Sequence, residues 1–170
     1  DGFIRAPYNN VECIEKLVLE HNDIVAILLE PIQGEGGIII PDKGYLKNLK
    51  RICDSNQLFL MIDEVQSGFC RTGKWFAFQH DEITPDVIMV AKALGNGVPI
   101  GACLAKNTAA DTLTPGTHGS TFGGNFLSTT VGLKVVDIMQ TLSINDNAKE
   151  MGNYFQKELK EKIANKKTVK

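Results

Sequence analysis

The chain has 170 residues, of which 22% are charged, and a formal net charge of −2. Such a length predicts one domain that buries about two-thirds of its unfolded surface. The slightly acidic balance excludes the basic face that nucleic acid or an anionic membrane would need, so neither partner is expected.

The four cysteines are scattered along the chain, at Cys13, Cys53, Cys70 and Cys103. They form no C-x-x-C pair and have no nearby histidine at metal-ligand spacing, so we expect free thiols and no zinc or other metal. The apolar runs have the length of strands, and no secretory leader is expected. These features predict a soluble protein of the cytoplasm, or of the mitochondrial matrix in a eukaryote.

Strands and helices alternate along the first part of the chain. The continuous apolar run 24–30 (IVAILLE) predicts a strand buried on both faces. Pro41 and Asp42 are predicted to open a helix whose apolar residues recur at helical spacing as far as Cys53. The run 58–64 (LFLMIDE) predicts the next strand, and the resulting β-α-β unit is expected to be parallel and right-handed.

Two more strands and two more helices are predicted after this unit. Residues 86–91 (DVIMVA) predict a third buried strand. Residues 92–99 are too few for a helical crossover, so the apolar run 100–105 (IGACLA) should pair with it antiparallel. Helices are predicted at 124–140 and from about 147 to the lysine-rich end. The predicted fold class is therefore α/β, with a mixed, mostly parallel sheet flanked by helices.

Three ionisable residues, Glu30, Asp63 and Lys92, follow directly on predicted strands. Because ligands in open α/β sheets bind at the carboxyl ends of the strands, these residues are expected to converge on one site. Two simpler interpretations stay open. Each residue could mark where its strand reaches water, or Asp63 and Lys92 could form a buried ion pair, which is weak evidence of stability.

Lys92 has the expected surroundings of a reactive lysine. Burial beside Ala91, Ala93 and Leu94 would lower its pKa and leave a neutral amine that can attack a carbonyl. Lys106 also ends an apolar run, but a solvated helix start follows it, so Lys106 is expected to be exposed.

If the carbonyl belongs to pyridoxal phosphate, two more groups are needed. A carboxylate must face the pyridine nitrogen, and a cradle must hold the phosphate. Asp63 is the candidate carboxylate. The segment 116–125 (GTHGSTFGGN) offers glycines, hydroxyls and a helix N-terminus, which suit an anion, although a glycine-rich loop alone is more often a turn.

Four segments lie in order across residues 30–125: EPIQGEGG, IDEVQSGFCRTG, AKALGNGVPIGA and HGSTFGGN. Together they resemble the core of a class III pyridoxal-phosphate aminotransferase, and most of all the acetylornithine/succinyldiaminopimelate and ornithine aminotransferases. The resemblance implies a fold type I transferase that forms a homodimer with shared active sites. It also implies a fragment, because family members are much longer. Residues 1–145 would belong to the cofactor-binding large domain, and residues 146–170 would start the helix towards the small C-terminal domain.

The resemblance implies a role for each residue that matches a motif. Lys92 would form the Schiff base with the cofactor and move the proton between substrate and cofactor. Asp63 would hold the pyridinium nitrogen. Val65 would pack on one ring face and Gln66 would hydrogen-bond the ring hydroxyl. Without the motif, ordinary packing for Val65 and a solvated turn for Gln66 would be the simpler interpretations.

Ser120 and Thr121 would reach a cofactor phosphate in the neighbouring subunit. Glu30 would lie near substrate and cofactor, where it can hold an arginine until a dicarboxylate competes for it. That arginine, the aromatic that stacks on the ring and the phosphate-binding segment of the same subunit are not among these residues. The isolated chain is therefore expected to be inactive.

The implied reaction is the ping-pong transfer of an amino group from N-acetylornithine, or a similar ω-amino donor, to the 2-oxo acid 2-oxoglutarate. The segment EPIQGEGG favours acetylornithine as the donor. Within the family, an ornithine or 4-aminobutyrate aminotransferase is the alternative. Outside it, the alternative is a non-catalytic α/β binding module with a structural Asp63–Lys92 pair.

Overall fold

The computed structural model describes residues 2–163, which contain a four-stranded sheet and five α-helices. In chain order, the elements are α1 (Val11–Glu20), β1 (Ala26–Leu29), α2 (Tyr45–Asn56), β2 (Phe59–Asp63), β3 (Val87–Val90), β4 (Ala102–Ala105), α3 (Asn107–Ala110), α4 (Phe126–Thr141) and α5 (Ile144–Ile163). Two 3₁₀ turns occupy Ala77–Asp81 and Lys92–Leu94. Of the predicted second domain, residues 164–170 lie outside the described part of the chain.

The strands lie side by side in the order β1-β2-β3-β4. The pairs β1–β2 and β2–β3 are parallel, and β3–β4 is antiparallel. The turn between β3 and β4 is too short for a helical crossover, as the sequence indicated. The predicted α/β fold with a mixed, mostly parallel sheet is confirmed.

The packed core lies between α2 and one face of the sheet. Leu49, Ile52 and Cys53 of α2 meet Leu60 and Ile62 of β2, and all five are almost completely buried. Burial of an aliphatic side chain of this size contributes roughly 1.5–3 kcal/mol. Partly buried side chains of α1 extend the same cluster. This core holds β2 in place at the centre of the site described below.

Two helix starts differ from the prediction. Helix α2 begins at Tyr45 rather than at Pro41 or Asp42, because the Asp42 carbonyl accepts from the Tyr45 N–H (3.0 Å) and Gly44 adopts a left-handed φ of +85°. Helix α1 is not among the predicted elements. The Asn10 side chain caps it by accepting from the backbone N–H of Cys13 (2.9 Å).

The predicted burial of the outer strands is wrong. Leu28 of β1 is 52% exposed, and Ala102, Cys103 and Leu104 of β4 are all exposed. Both strands are edges of the described sheet, and α2 covers only one of its faces. An apolar run therefore identified each strand but not how many of its faces are covered.

Helices α4 and α5 lie after a long exposed segment. Helix α4 begins at Phe126, two residues after the predicted start at 124, and the Asn125 side chain caps it by accepting from the Ser128 N–H (3.0 Å). Large apolar side chains near its start stand in solvent, and Phe126 is 91% exposed. None of the helices within residues 2–163 is long and apolar enough to cross a membrane.

Candidate active site

The parallel strands bring three of the predicted site residues to one edge of the sheet. Glu30 follows β1, Asp63 ends β2, and Lys92 begins the 3₁₀ turn after β3. The register pairs Leu29 with Ile62 and Asp63 with Met89, so these strand ends are neighbours. The carboxyl ends of three adjacent strands therefore surround one region.

Lys92 is held in an unusual backbone conformation. Its φ is +43°, in the left-handed region that a residue with a side chain rarely adopts. Its Nζ donates to Gln66 Oε1 at 2.6 Å. Such strain costs about 1–3 kcal/mol, and eight other non-glycine residues of the described chain also have a positive φ. The conformation directs the amine across the sheet edge towards the segment after β2.

The prediction that Lys92 is buried is wrong, because its side chain is exposed. Its neighbours Ala91 and Ala93 are too short to cover a lysine stem, and the next strand, β4, is itself exposed. Lys92 and Asp63 both lie in the described region and form no ion pair there. The ion pair that the non-catalytic alternative assumed is therefore not formed among the described residues.

A chain of contacts links the segment after β1 to Lys92. Glu30 Oε2 accepts from the Gly34 N–H at 3.1 Å. A Cβ at Gly34 would lie 2.2 Å from Gln66 Nε2, so a side chain there would require the Gln66 amide to move. Gln66 in turn accepts from Lys92. Glu30 thus supports the turn against which Gln66 rests.

Asp63 lies half-buried at the end of β2. Its Oδ1 accepts from the Val65 N–H at 2.9 Å, which orients the carboxylate towards the turn that follows. Within the described residues Oδ2 accepts no hydrogen bond, so one carboxylate oxygen is available to a ligand.

These elements border a groove of about 560 Å³. This volume lies within the range of roughly 300–1,000 Å³ that is usual for small-molecule and cofactor sites. The predicted residues Val65, Gln66 and Lys92 line it, whereas Asp63 and Glu30 are not among the lining residues. The other lining residues are Ile32, Gln33, Gly34, Ile38, Ser67, Arg71, Thr72 and Ala93.

Ser120 and Thr121 are not brought to this groove. Every residue from 110 to 127 is exposed, and neither hydroxyl residue is among those that line the groove. The resemblance assigned both to the site of a neighbouring subunit, which this single chain does not test.

Sequence reasoning missed two residues near the groove, Arg71 and Glu64. Arg71 lies in the quoted segment IDEVQSGFCRTG and lines the groove. Glu64 is only 1% exposed and accepts from Ser67 Oγ (2.6 Å) and the Phe78 N–H (2.9 Å). Burial raises the pKa of the Glu64 carboxyl, against the opposing effect of hydrogen bonds from Ser67, Phe78 and Ala77. The alternation along β2 could have revealed it, since Glu64 follows the buried Leu60 and Ile62 at intervals of two.

Comparison with known proteins decides the family. Residues 4–170 match the family model described as Aminotransferase class-III. The chain belongs to the class III aminotransferases. It is 52% identical over 157 residues to the acetylornithine aminotransferase of Nitrosomonas europaea, covering 92% of this chain and 40% of that protein. It is 43% identical over 160 residues to the ornithine aminotransferase of Oceanobacillus iheyensis, covering 94% of this chain and 40% of that protein.

Solved structures agree with this assignment. An ornithine aminotransferase of Toxoplasma gondii, reported with partial occupancy of PLP at its active site, gives a TM-score of 0.93 at 39% identity. It is matched over 98% of this chain and 39% of its own. The acetylornithine aminotransferase of Elizabethkingia anophelis gives 0.90 at 40% identity, over 94% and 40% of the two chains. The present chain thus spans about 40% of the length of these relatives.

The groove fits the cofactor of this family, pyridoxal phosphate. It presents an amine, the Lys92 Nζ, that can condense with an aldehyde, and an amide, that of Gln66, that can hydrogen-bond a ring hydroxyl. Val65 supplies an apolar surface for a ring face. Asp63 has one carboxylate oxygen that accepts no hydrogen bond from the described residues. The residues that would hold the cofactor are therefore Lys92, Asp63, Val65 and Gln66.

The turn that carries Lys92 yields a prediction about Gly95. A Cβ there would lie 1.9 Å from the Val98 carbonyl oxygen, so Gly95→Ala must displace the turn. We expect the free energy of unfolding of the full-length enzyme to fall by about 1–3 kcal/mol in urea denaturation.

Gly101→Ala is the matched control for this prediction. A Cβ at Gly101 meets its nearest atom, the Val90 carbonyl oxygen, at an ordinary 3.5 Å. This variant should keep stability within about 0.5 kcal/mol of the original. Equal behaviour of the two variants would contradict the packing argument.

Proposed function

We propose that this chain forms the cofactor-binding centre of an aminotransferase. The enzyme transfers an amino group from N-acetylornithine, or a similar ω-amino donor, to 2-oxoglutarate in two half-reactions. The observation that carries the proposal is the Lys92 Nζ, held 2.6 Å from Gln66 Oε1 in a groove at the ends of three adjacent strands. A lysine in a strained turn at such a groove suits covalent carbonyl chemistry.

Bound pyridoxal phosphate supplies an aldehyde that exchanges amines and a ring that draws electrons from the donor carbon. Asp63 keeps the ring nitrogen protonated. At an effective dielectric of 20, a carboxylate about 4 Å from a cation stabilises it by about 4 kcal/mol, or about 3 pKa units before desolvation. The hydrogen bond from Val65 orients the Asp63 carboxylate for this task.

Lys92 acts as the acid and base of the reaction. With the cofactor bound, the Lys92 Nζ would accept the proton from the amine-bearing carbon of the donor and donate it to the aldehyde carbon of the cofactor. Gln66 Oε1 offers the amine a resting position within hydrogen-bond distance. The open groove around Lys92 gives a substrate access to this atom.

N-acetylornithine is the preferred donor because the relative with 52% identity is an acetylornithine aminotransferase, whereas the ornithine aminotransferase of O. iheyensis reaches 43%. Ornithine is the second candidate, supported by the structural likeness to the T. gondii enzyme. Glu30 supports the substrate side of the groove through Gly34. Activity is tested in the full-length enzyme, since the resemblance places further substrate and phosphate contacts outside this chain.

Lys92→Ala should abolish the yellow, borohydride-reducible adduct and lower transamination by several orders of magnitude. The measurement is absorbance of the reconstituted enzyme, peptide mass mapping after reduction, and turnover of N-acetylornithine with 2-oxoglutarate.

Lys106→Ala is the control for this test. Lys106 donates to the Thr84 carbonyl at the other end of the sheet, so its loss should leave the adduct intact. A pyridoxyl label on Lys106 would overturn the assignment of Lys92. A kcat/KM for ornithine or 4-aminobutyrate that exceeds the value for N-acetylornithine would identify a different donor. The assignment of the chemistry to Lys92 would stay unchanged.

Asp63→Asn tests the partner of the ring nitrogen. The amide carries no charge, so the proton-transfer step should slow far more than substrate binding weakens. Single-turnover rates measured at saturating donor should fall by about tenfold or more, since one pKa unit of lost stabilisation already corresponds to a factor of ten. Rates within a few-fold of the original enzyme would exclude Asp63 from this role.

We also propose that two copies of the chain share each active site. Ser120 and Thr121 lie in an exposed segment away from the groove, beside Phe122 and Phe126, which are 81% and 91% exposed. Such apolar side chains are typical of a surface covered in an assembly. A phosphate of the partner's cofactor would accept from the Thr121 hydroxyl, a bond to a charged group worth roughly 1.5–3 kcal/mol.

A hybrid dimer tests this arrangement. Full-length Lys92→Ala and Thr121→Ala chains with different tags are co-expressed, and the hybrid is purified and assayed at limiting cofactor. In a shared site, one of the two sites combines an intact Lys92 with an intact Thr121, so about half of the original activity should return. Activity no higher than that of Thr121→Ala sites alone would reject the shared site.

A further inference from the structure

Glu64 occupies a position directly behind the groove. It follows Asp63 and precedes Val65, but its carboxylate points into the protein, where only 1% of the residue is exposed. The hydrogen bonds it accepts come from two different segments. Ser67 Oγ belongs to the turn after β2, and the Phe78 N–H belongs to the 3₁₀ turn Ala77–Asp81.

The connection between β2 and β3 is held by the two hydrogen bonds to Glu64 and by others of its own, such as the one from the Cys70 N–H to the Trp75 carbonyl. It contains no α-helix, and the turn 65–68 contributes Val65, Gln66 and Ser67 to the groove. The turn is tightly packed against Glu64, because a Cβ at Gly68 would lie 2.7 Å from the Glu64 carbonyl oxygen. Because Ser67 Oγ donates to the Glu64 carboxylate, a shift of that carboxylate would move the turn that contributes Val65 and Gln66 to the groove.

We propose that Glu64 is a positioning residue that holds Val65 and Gln66 against Lys92 by tying the turn 65–68 to the 3₁₀ turn at Ala77. This inference rests on the proposed function, because it gives Glu64 a role toward the cofactor. Glu64 itself touches neither the groove nor Lys92.

The two donors differ in a way that makes the inference testable. The Phe78 N–H can only donate, whereas the Ser67 hydroxyl can also accept. In Glu64→Gln, the amide oxygen can face Phe78 while the amide NH₂ donates to a reoriented Ser67, so both ties survive. In Glu64→Ala both ties are lost, and the Ser67 hydroxyl and the Phe78 N–H lose their acceptor.

Asp86→Ala is a matched control. Asp86 Oδ2 accepts from the Leu60 N–H at the opposite end of β2, so this variant also loses a carboxylate bound to a backbone donor of the same strand. It should lower thermal stability without affecting the turn 65–68. Ser67→Ala removes only the hydrogen bond from the turn 65–68 to Glu64. It replaces Glu64→Ala in the experiment if that variant fails to fold.

The experiment uses the full-length enzyme and two readouts. Amide hydrogen exchange of the cofactor-free protein reports how well residues 65–78 are ordered. Titration with pyridoxal phosphate reports the affinity of the enzyme for this cofactor. In Glu64→Ala, or in Ser67→Ala to a smaller extent, exchange in 65–78 should accelerate and affinity should fall about tenfold, as expected for a lost buried hydrogen bond. Glu64→Gln and Asp86→Ala should match the original enzyme in both readouts.

Unchanged exchange in Glu64→Ala and Ser67→Ala would overturn the inference, as would faster exchange with unchanged affinity. A loss of affinity in Asp86→Ala equal to that in Glu64→Ala would also overturn it, because general destabilisation would then explain both. If the original enzyme binds no pyridoxal phosphate, the proposed function fails, and with it the role of Glu64 toward the cofactor. Binding by the original enzyme without the variant effects rejects only this inference.

Discussion

The parallel pairing of β1, β2 and β3 is the constraint on which the groove depends. Parallel strands end at the same edge of a sheet, so Glu30, Asp63 and Lys92 become neighbours although they lie far apart in the chain. The pairing is held by the packing of α2 on β2, where Leu60 and Ile62 are fully buried. Reversing any one of the three strands would carry its terminal residue to the opposite edge. The chemistry of the groove therefore depends on aliphatic side chains that never reach it.

The groove also gathers features that cost free energy. Lys92 has a left-handed backbone, and Glu64 is a buried carboxylate. Each such feature costs on the order of 1–3 kcal/mol unless its surroundings compensate. For Glu64 the compensation comes from donors on two segments, and for Lys92 from the packed turn in which Gly95 leaves no room for a side chain. The geometry of the site is thus imposed by its surroundings rather than by local backbone preference.

The sequence predicted the strands and the antiparallel last pair, because apolar runs and connection lengths are local signals, and it placed the start of α4 within two residues. It did not predict the exposure of Lys92 or of β4, since burial depends on what packs against a run and not on the run itself. The start of α2 was displaced to Tyr45 because the left-handed Gly44 turn decided the boundary. The link from Gly34 to Gln66 was beyond sequence reasoning, because it is a contact between residues from different strand ends.

Asp63 and Glu64 show how the structure separates two acids that look alike in sequence. Side chains alternate along a strand, so Glu64 continues the buried face of Leu60 and Ile62, and Asp63 continues the other face. Glu64 therefore meets donors from the protein interior, whereas Asp63 keeps one oxygen free of described partners. An acid whose hydrogen bonds all come from the scaffold can hold that scaffold, and an acid with an unused oxygen can hold a ligand. Because side chains alternate along β2, the two adjacent acids have different roles. Glu64 positions the turn, and Asp63 is available to the cofactor.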